Sequence, residues 1–257
     1  MLHGMTSSAS VPLSSGTSTA VVTGGNSGIG RATVELLLAQ GWKVVVIDRD
    51  ISSLDTVRPE LTAYQADARD PAAIENIFTE LARSVESVDA LVNAVGIEYV
   101  GTLEETGPDE WHRVVDTNLT SYYLLCRGAL PLLRQRGGAV VNVASQLALV
   151  GTARFSAYTA SKAGIIGLSR SLALELAPYG IRVNVVCPGA VDTPLLQRQF
   201  VDGPGPQGSL DDLAAMHALR RLGQPAEIAA PIGFLCGPGS SFMTGSVVVV
   251  DGGYTSW

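Results

Sequence analysis

From Thr19 onward the chain alternates short β-branched apolar runs with longer stretches in which apolar residues recur every three or four positions. The runs Ala20–Thr23, Lys43–Ile47, Val88–Asn93, Ala139–Ala144, Ile181–Val186 and Ser246–Val250 predict strands, with Leu61–Gln65 a weaker seventh. Several are almost unbroken Val and Ile, without the polar alternation of a half-solvated strand, so both faces must be covered. Between them Ile29–Gln40, Pro71–Ser84, Pro108–Asp116, Ser121–Arg136, Ser156–Ala177 and Pro225–Cys236 carry helical spacing. Strand–helix alternation of this kind predicts an α/β fold, a doubly wound parallel sheet of about seven strands with helices on both faces.

Residues 19–257 contain no internal repeat and no linker, and read as one domain. The Pro/Gly-rich stretch Asp202–Gly208 reads as a surface loop within it. Residues 1–18 are rich in Ser, Thr and Gly and read as a disordered leader, with Met5 a second candidate start. They lack the basic stretch running into an apolar core that a secretory signal requires.

Composition narrows the function. The chain has 257 residues, enough to bury roughly 70–75% of its unfolded surface without staples. Seventeen Lys and Arg against 24 Asp and Glu give a net charge of −7, which repels phosphate backbones and disfavours nucleic-acid or polybasic membrane contacts. No apolar run approaches the length of a bilayer span. Cys126, Cys187 and Cys236 are too scattered for a disulfide framework or a paired-cysteine metal site, and read as buried thiols of a reducing, cytoplasmic compartment. His3, His112 and His217 are equally scattered, so no metal is expected.

Two segments carry chemistry. The first strand runs into Thr23-Gly24-Gly25-Asn26-Ser27-Gly28-Ile29-Gly30 and then a helix. Glycines permit a tight turn and a close backbone approach, while the helix start offers free N–H groups and a positive dipole end to a pyrophosphate. The G-x-G-x-x-G spacing is absent, since its last position falls on Thr33. Eighteen positions past Gly30, Asp48 closes the second strand, where a carboxylate can accept both adenosine ribose hydroxyls. A 2′-phosphate about 4 Å away would cost roughly 4 kcal/mol at an effective dielectric near 20, more than one flexible contact from Arg49 returns. The expected cofactor is therefore NAD.

The second segment is Tyr158-Thr159-Ala160-Ser161-Lys162, within a predicted helix. Residues four apart share a face, so phenol and ammonium approach one point. Bringing a phenol down about three units takes roughly 4 kcal/mol, the order an ammonium about 4 Å away supplies. The pair is thus expected to act as a general acid and base for alcohol oxidation or ketone reduction.

Together with Asn93-Ala94-Val95-Gly96, Asn118, Ser145, Pro188-Gly189, Thr193, Thr244-Gly245 and Asp251-Gly252-Gly253, these segments resemble the short-chain dehydrogenase/reductase family from about Thr19 to Gly253. Val95 is a departure from the family's Asn-Ala-Gly turn. The resemblance implies a Rossmann-type dinucleotide-binding domain and a homotetramer formed through 121–136, 156–177 and the carboxy-terminal segment. It implies that Tyr158 exchanges the hydroxyl proton, that Lys162 lowers its pKa and holds the nicotinamide ribose, and that Ser145 bonds the substrate oxygen. Asn118 would hold a relay water. The implied cofactor contacts are Gly24, Asn26, Ser27, Gly28, Ile29, Gly30, Asp48, Arg49, Asp67, Ala68, Asn93, Ala94, Gly96, Pro188, Gly189, Val191 and Thr193, besides Tyr158 and Lys162.

Residues 193–223 form a covering segment whose Leu195, Leu196, Phe200, Val201, Leu210, Leu213 and Met216 give it an apolar side. It is expected either to pack as two short helices or to close as a lid over an apolar substrate. Leu195, Leu196, Phe200 and Gln146 are expected to touch substrate, Glu98 and Val150–Phe155 to complete the wall, and Cys187 to stay outside the chemistry. His217 and Arg154 are open between pocket and surface. With no cation cluster for an anionic substrate, a neutral secondary alcohol or ketone, cyclic or hydrophobic, is expected. The alternatives are an NADPH-dependent 3-oxoacyl thioester or other carbonyl reductase and, outside catalysis, a nucleotide-binding scaffold or sensor.

Overall fold

The computed structural model describes residues 17–200 and 208–256. Residues 1–16 of the expected leader, Val201, and the expected loop at 202–208 apart from Gly208 lie outside them. A seven-stranded sheet is built from β1 (Thr19–Thr23), β2 (Lys43–Asp48), β3 (Leu61–Gln65), β4 (Ala90–Asn93), β5 (Gly138–Val143), β6 (Ile181–Pro188) and β7 (Val247–Val250). Its order is 3-2-1-4-5-6-7, and every pairing is parallel. Helices α1 (Gly28–Ala39), α2 (Pro71–Ser84), α3 (Pro108–Val115), α4 (Ser121–Leu133), α5 (Ser156–Leu176), α6 (Pro194–Gln197), α7 (Leu210–Ala215) and α8 (Pro225–Cys236) complete the described elements.

Alternate residues of each strand serve opposite layers, because successive side chains leave a strand on opposite faces. Val21, Leu91, Val140 and Val183 pack with Ile74, Phe78, Leu81, Leu125 and Ala173 of α2, α4 and α5. Val22, Val46, Val92 and Val141 pack with Val34, Leu37, Ile228 and Ile232 of α1 and α8. Each such side chain taken out of water contributes about 1.5–3 kcal/mol, which fixes strand register. A buried polar chain threads this core. Thr23 Oγ1 donates to Asn93 Oδ1, Asn93 Nδ2 to Asn142 Oδ1, and Asn142 Nδ2 to Ser169 Oγ.

Several boundaries differ from expectation by a residue or two, and three differences have a visible cause. Strand β4 starts at Ala90 because the Val88 N–H is taken by Leu132 O at the end of α4. Helix α4 stops at Leu133, before the left-handed Gly137 (φ 77°) turns the chain into β5. Helices α3 and α4 are joined through a π-helical turn, Asp116–Thr120, where a break was expected.

The topology places the site. Strand β1 is followed by β2 on one side while β4 lies on its other side, so the loops leaving β1 and β4 diverge and open a crevice at the strands' carboxyl ends. Over it lie α6 and α7, the two short helices expected of the covering segment, which bury Leu196 and Leu213.

Candidate active site

The glycine turn is shaped by contact with its neighbours. Gly24 adopts φ 69°, and a Cβ there would meet Val95 N at 2.9 Å; a Cβ on Gly30 would fall 2.0 Å from Gly24 O. Ser27, at the N-cap of α1, makes no side-chain capping bond, so the first N–H groups of that helix face the crevice unclaimed by a cap. Gly24, Asn26, Ser27, Gly28, Ile29, Gly30, Asp48, Arg49, Asp67, Ala68, Ala94, Gly96 and Thr193 all line one cleft. These residues fit a dinucleotide: an uncapped helix start for the pyrophosphate, and a turn that a single Cβ would fill.

Asp48 is held in place by the turn itself, accepting from Asn26 N at 3.0 Å and Asp50 N at 3.2 Å. Asp67 is engaged by Arg69, whose guanidinium closes on it at 2.6–3.1 Å and holds its carboxyl below the usual range. Arg69 and Arg198 line the same cleft and were not anticipated. Asn93 departs from expectation: it is fully buried in the polar chain described above, and the cleft wall after β4 is made by Ala94, Val95, Gly96 and Ile97. A side chain ending a strand inside the sheet is spent on its neighbours.

Ser145, Gln146, Phe155, Tyr158, Lys162, Pro188, Gly189, Val191, Leu195, Leu196 and Leu213 line an adjoining pocket of about 150 Å³. Ile29, Ala94, Gly96, Thr193 and Leu195 belong to both cavities. Ser145, extended just past the end of β5, accepts from Leu147 N at 3.1 Å and stands beside the Tyr158 phenol. Lys162 is buried, donates to Val143 O at 3.0 Å, and lies 5.7 Å from the Tyr158 ring centroid.

The electrostatics differ from the simple expectation for this pair. Burial, with the negative Glu98 nearby, pushes the Tyr158 phenol above its ordinary value, opposed by the neighbouring Ser145 hydroxyl. Burial also brings Lys162 down to about 8, against the opposing fields of Cys187 and Glu98. The ammonium is committed to Val143 O, and the desolvation it shares with the phenol outweighs its attraction for a phenolate.

Asn118 sits on the π turn, fully buried, but its side chain is consumed. Oδ1 accepts from Ile97 N and Nδ2 donates to Ile97 O, each at 2.9 Å, and Nδ2 also reaches Ser161 Oγ at 3.0 Å.

Other expectations sort cleanly. Phe200 is half-buried but does not line the pocket; the one-turn 3₁₀ segment Arg198–Phe200 presents Gln199 there instead. Of 150–155 only Phe155 reaches the pocket, and Arg154 is exposed beside Glu105. His217 is structural, linking Leu213 O through Nδ1 at 2.9 Å to the Ala190 N–H through Nε2 at 3.2 Å. Cys126, Cys187 and Cys236 are buried free thiols. Among the described residues no His, Cys, Asp and Glu cluster is placed to hold a metal. No described helix is long and apolar enough to cross a membrane.

A family model described as enoyl-(acyl carrier protein) reductase matches residues 24–255. The chain is 37% identical over 246 residues to a cyclohexanol dehydrogenase of Acinetobacter sp. (strain SE19), covering 92% of this chain and 94% of that one. It is 38% identical over 245 residues to a cis-4-hydroxycyclohexanecarboxylate dehydrogenase of Sinomonas cyclohexanicum, covering 92% and 96%. The solved structure of ElxO with NADP bound superposes with a TM-score of 0.86 at 29% identity, covering 94% of this chain and 100% of that one. The turn after β1, the Ser145–Tyr158–Lys162 pocket and these likenesses together establish that the chain belongs to the short-chain dehydrogenase/reductase family and is an oxidoreductase of secondary alcohols and ketones.

Proposed function

We propose that the protein oxidises a neutral, one-ring or similarly compact hydrophobic secondary alcohol with NAD, and reduces the matching ketone in reverse. The observation that carries this reading is the convergence of Ser145, Tyr158 and Lys162 on a largely apolar pocket that shares a wall with the dinucleotide cleft. The nicotinamide, when bound, supplies the hydride acceptor. Ser145 Oγ donates to the substrate oxygen and holds it. Tyr158 Oη exchanges the proton of that oxygen. The phenol donates it in ketone reduction, and the phenolate takes it in oxidation as the carbinol C–H bond breaks with its hydride passing to the nicotinamide. The raised phenol thus places oxidation on the alkaline side. Lys162 holds the ribose and moves the proton on toward solvent. With its side chain spent on Ile97 and Ser161, Asn118 acts here by positioning the loop before Glu98 and the helix that carries Lys162.

Asp48 supports NAD over NADP, because the turn's own N–H groups aim its carboxylate at the ribose end of the cleft. Arg49 and Arg69 at the same end favour the second reading, an NADPH-dependent carbonyl reductase. The cyclohexanol and hydroxycyclohexanecarboxylate dehydrogenases among its relatives support a cyclic substrate. Turnover of a panel of cyclic secondary alcohols with NAD and with NADP, followed by nicotinamide absorbance, separates the readings. Strong preference for NADP sinks the assignment of NAD, and no turnover of any alcohol or ketone sinks the reading as a whole.

We also read the protein as a single-domain homotetramer of the cytoplasm. Exposed Tyr123 on α4, Leu174 on α5, and Phe234, Phe242 and Val249 near the carboxyl end supply apolar faces for assembly. Sedimentation velocity tests this, and a monomer refutes it.

A further inference from the structure

The substrate pocket holds two hydrogen-bond acceptors that the proton-transfer scheme leaves unused. Glu98 lines it in the loop after β4, half-buried, with the Gln199 side chain beside its carboxyl. A carboxylate offers about four acceptor sites, so one amide leaves most of them open. Gln146, adjacent to Ser145 and 5% exposed, has a side-chain Oε1 with no partner. That oxygen is buried 3.0 Å from where a Cβ of Gly189 would stand, on a side chain that belongs to the pocket lining. Buried polar groups in native proteins are almost always paired, so an orphan acceptor on a pocket-lining side chain, free to turn toward a bound hydroxyl, points to a donor on the ligand.

We propose that Glu98 and Gln146 receive a second hydroxyl carried by the substrate, so that the preferred substrate is a compact diol or hydroxyketone and not a simple alcohol. This rests on the reading of the pocket as the substrate site. Three features fix the chemistry of the extra group. A carboxylate or phosphate there would face the Glu98 charge at close range. An ammonium would enter beside Lys162 and Arg198, both of which act on Glu98 through space. A neutral hydroxyl meets neither objection and donates to either acceptor. Phe155, Val191, Leu195, Leu196 and Leu213 then cover the hydrocarbon face. Burial brings Glu98 up to about 7, so it exists as acid and as carboxylate near neutrality, and both forms accept from a hydroxyl.

The test compares cyclohexanol, the 1,2-, 1,3- and 1,4-cyclohexanediols, 2-aminocyclohexanol and 4-hydroxycyclohexanecarboxylate with wild type, Glu98→Leu and Gln146→Leu. At least one diol is expected to exceed cyclohexanol at least tenfold in kcat/KM with wild type, mostly through KM. The ratio is expected to fall toward one in Glu98→Leu. Cyclohexanol turnover without diol preference, or a diol preference surviving in Glu98→Leu, overturns the inference and leaves the oxidoreductase reading standing. Preference for the amine or the carboxylate overturns it in favour of a charged substrate. A second readout does not need turnover: thermal shift of the NADH-loaded protein on adding each diol. No shift with any diol, or the same shift in both variants, overturns the inference as well.

Discussion

The Asn118 side chain clasps the backbone of Ile97 from both sides, accepting from its N–H and donating to its carbonyl at 2.9 Å each. Ile97 is the residue before Glu98, and the third bond of Asn118 runs to Ser161, the residue before Lys162. One amide on a π turn thus fixes both the acidic wall of the pocket and the helix that carries the basic group.

Asn118→Ala leaves the Ile97 amide and carbonyl without these partners. Each unpaired buried group costs about 1–3 kcal/mol. The expected outcome is a lower melting temperature together with a fall in kcat, because the loop before Glu98 and the helix that carries Lys162 lose their shared anchor. Asn118→Asp keeps the bond from Ile97 N and is expected to recover part of the stability; calorimetry beside steady-state kinetics checks both.

Tyr158→Phe is expected to abolish nearly all turnover while NADH still binds, read by fluorescence titration. An active variant would refute the role given to the phenol.

The charge on Glu98 raises the Tyr158 phenol, so Glu98→Gln is expected to move the rising limb of the oxidation pH profile toward lower pH. The groups acting on Glu98 are Gln199, Arg198 and Lys162, and none of them changes in this variant. Stability carries its own signature. A carboxyl at about 7 in the folded state and 4.5 unfolded contributes stability that is fully present below pH 4.5 and is lost as pH rises through 7. Glu98→Gln is therefore expected to gain on wild type as pH rises from 5 to 8, by at most on the order of 3 kcal/mol. Thermal melts at the two pH values check the sign, and an unchanged difference sinks it.

Asp48→Ser removes the carboxylate expected to repel a 2′-phosphate while Arg49 and Arg69 remain in the cleft. The kcat/KM ratio of NADP to NAD is expected to rise at least tenfold, read by nicotinamide absorbance with a single alcohol.

Leu37 is fully buried between β-strands and α8, so Leu37→Ala is expected to cost about 2–5 kcal/mol in urea unfolding.

The sheet was legible because Val- and Ile-rich runs such as Val44–Ile47 admit few other readings, and the motif residues were legible because their spacing is local. What the sequence hid was set by distance. The fate of Asn93 depends on Asn142 and Ser169, 49 and 76 positions away, and no window along the chain connects them. The π turn beneath Asn118 leaves no compositional trace. On the covering segment an apolar search selected Phe200, whereas the 3₁₀ turn presents polar Gln199 to the pocket. The phenol's upward shift follows from burial, which a spacing of four residues does not report.

Ile29, Ala94, Gly96, Thr193 and Leu195 belong to both cavities, so the two compartments share one wall. Common lining of this kind couples the two occupants: whatever fills the larger chamber becomes part of the boundary that the smaller molecule meets, so a change at any of these five residues is felt on both sides.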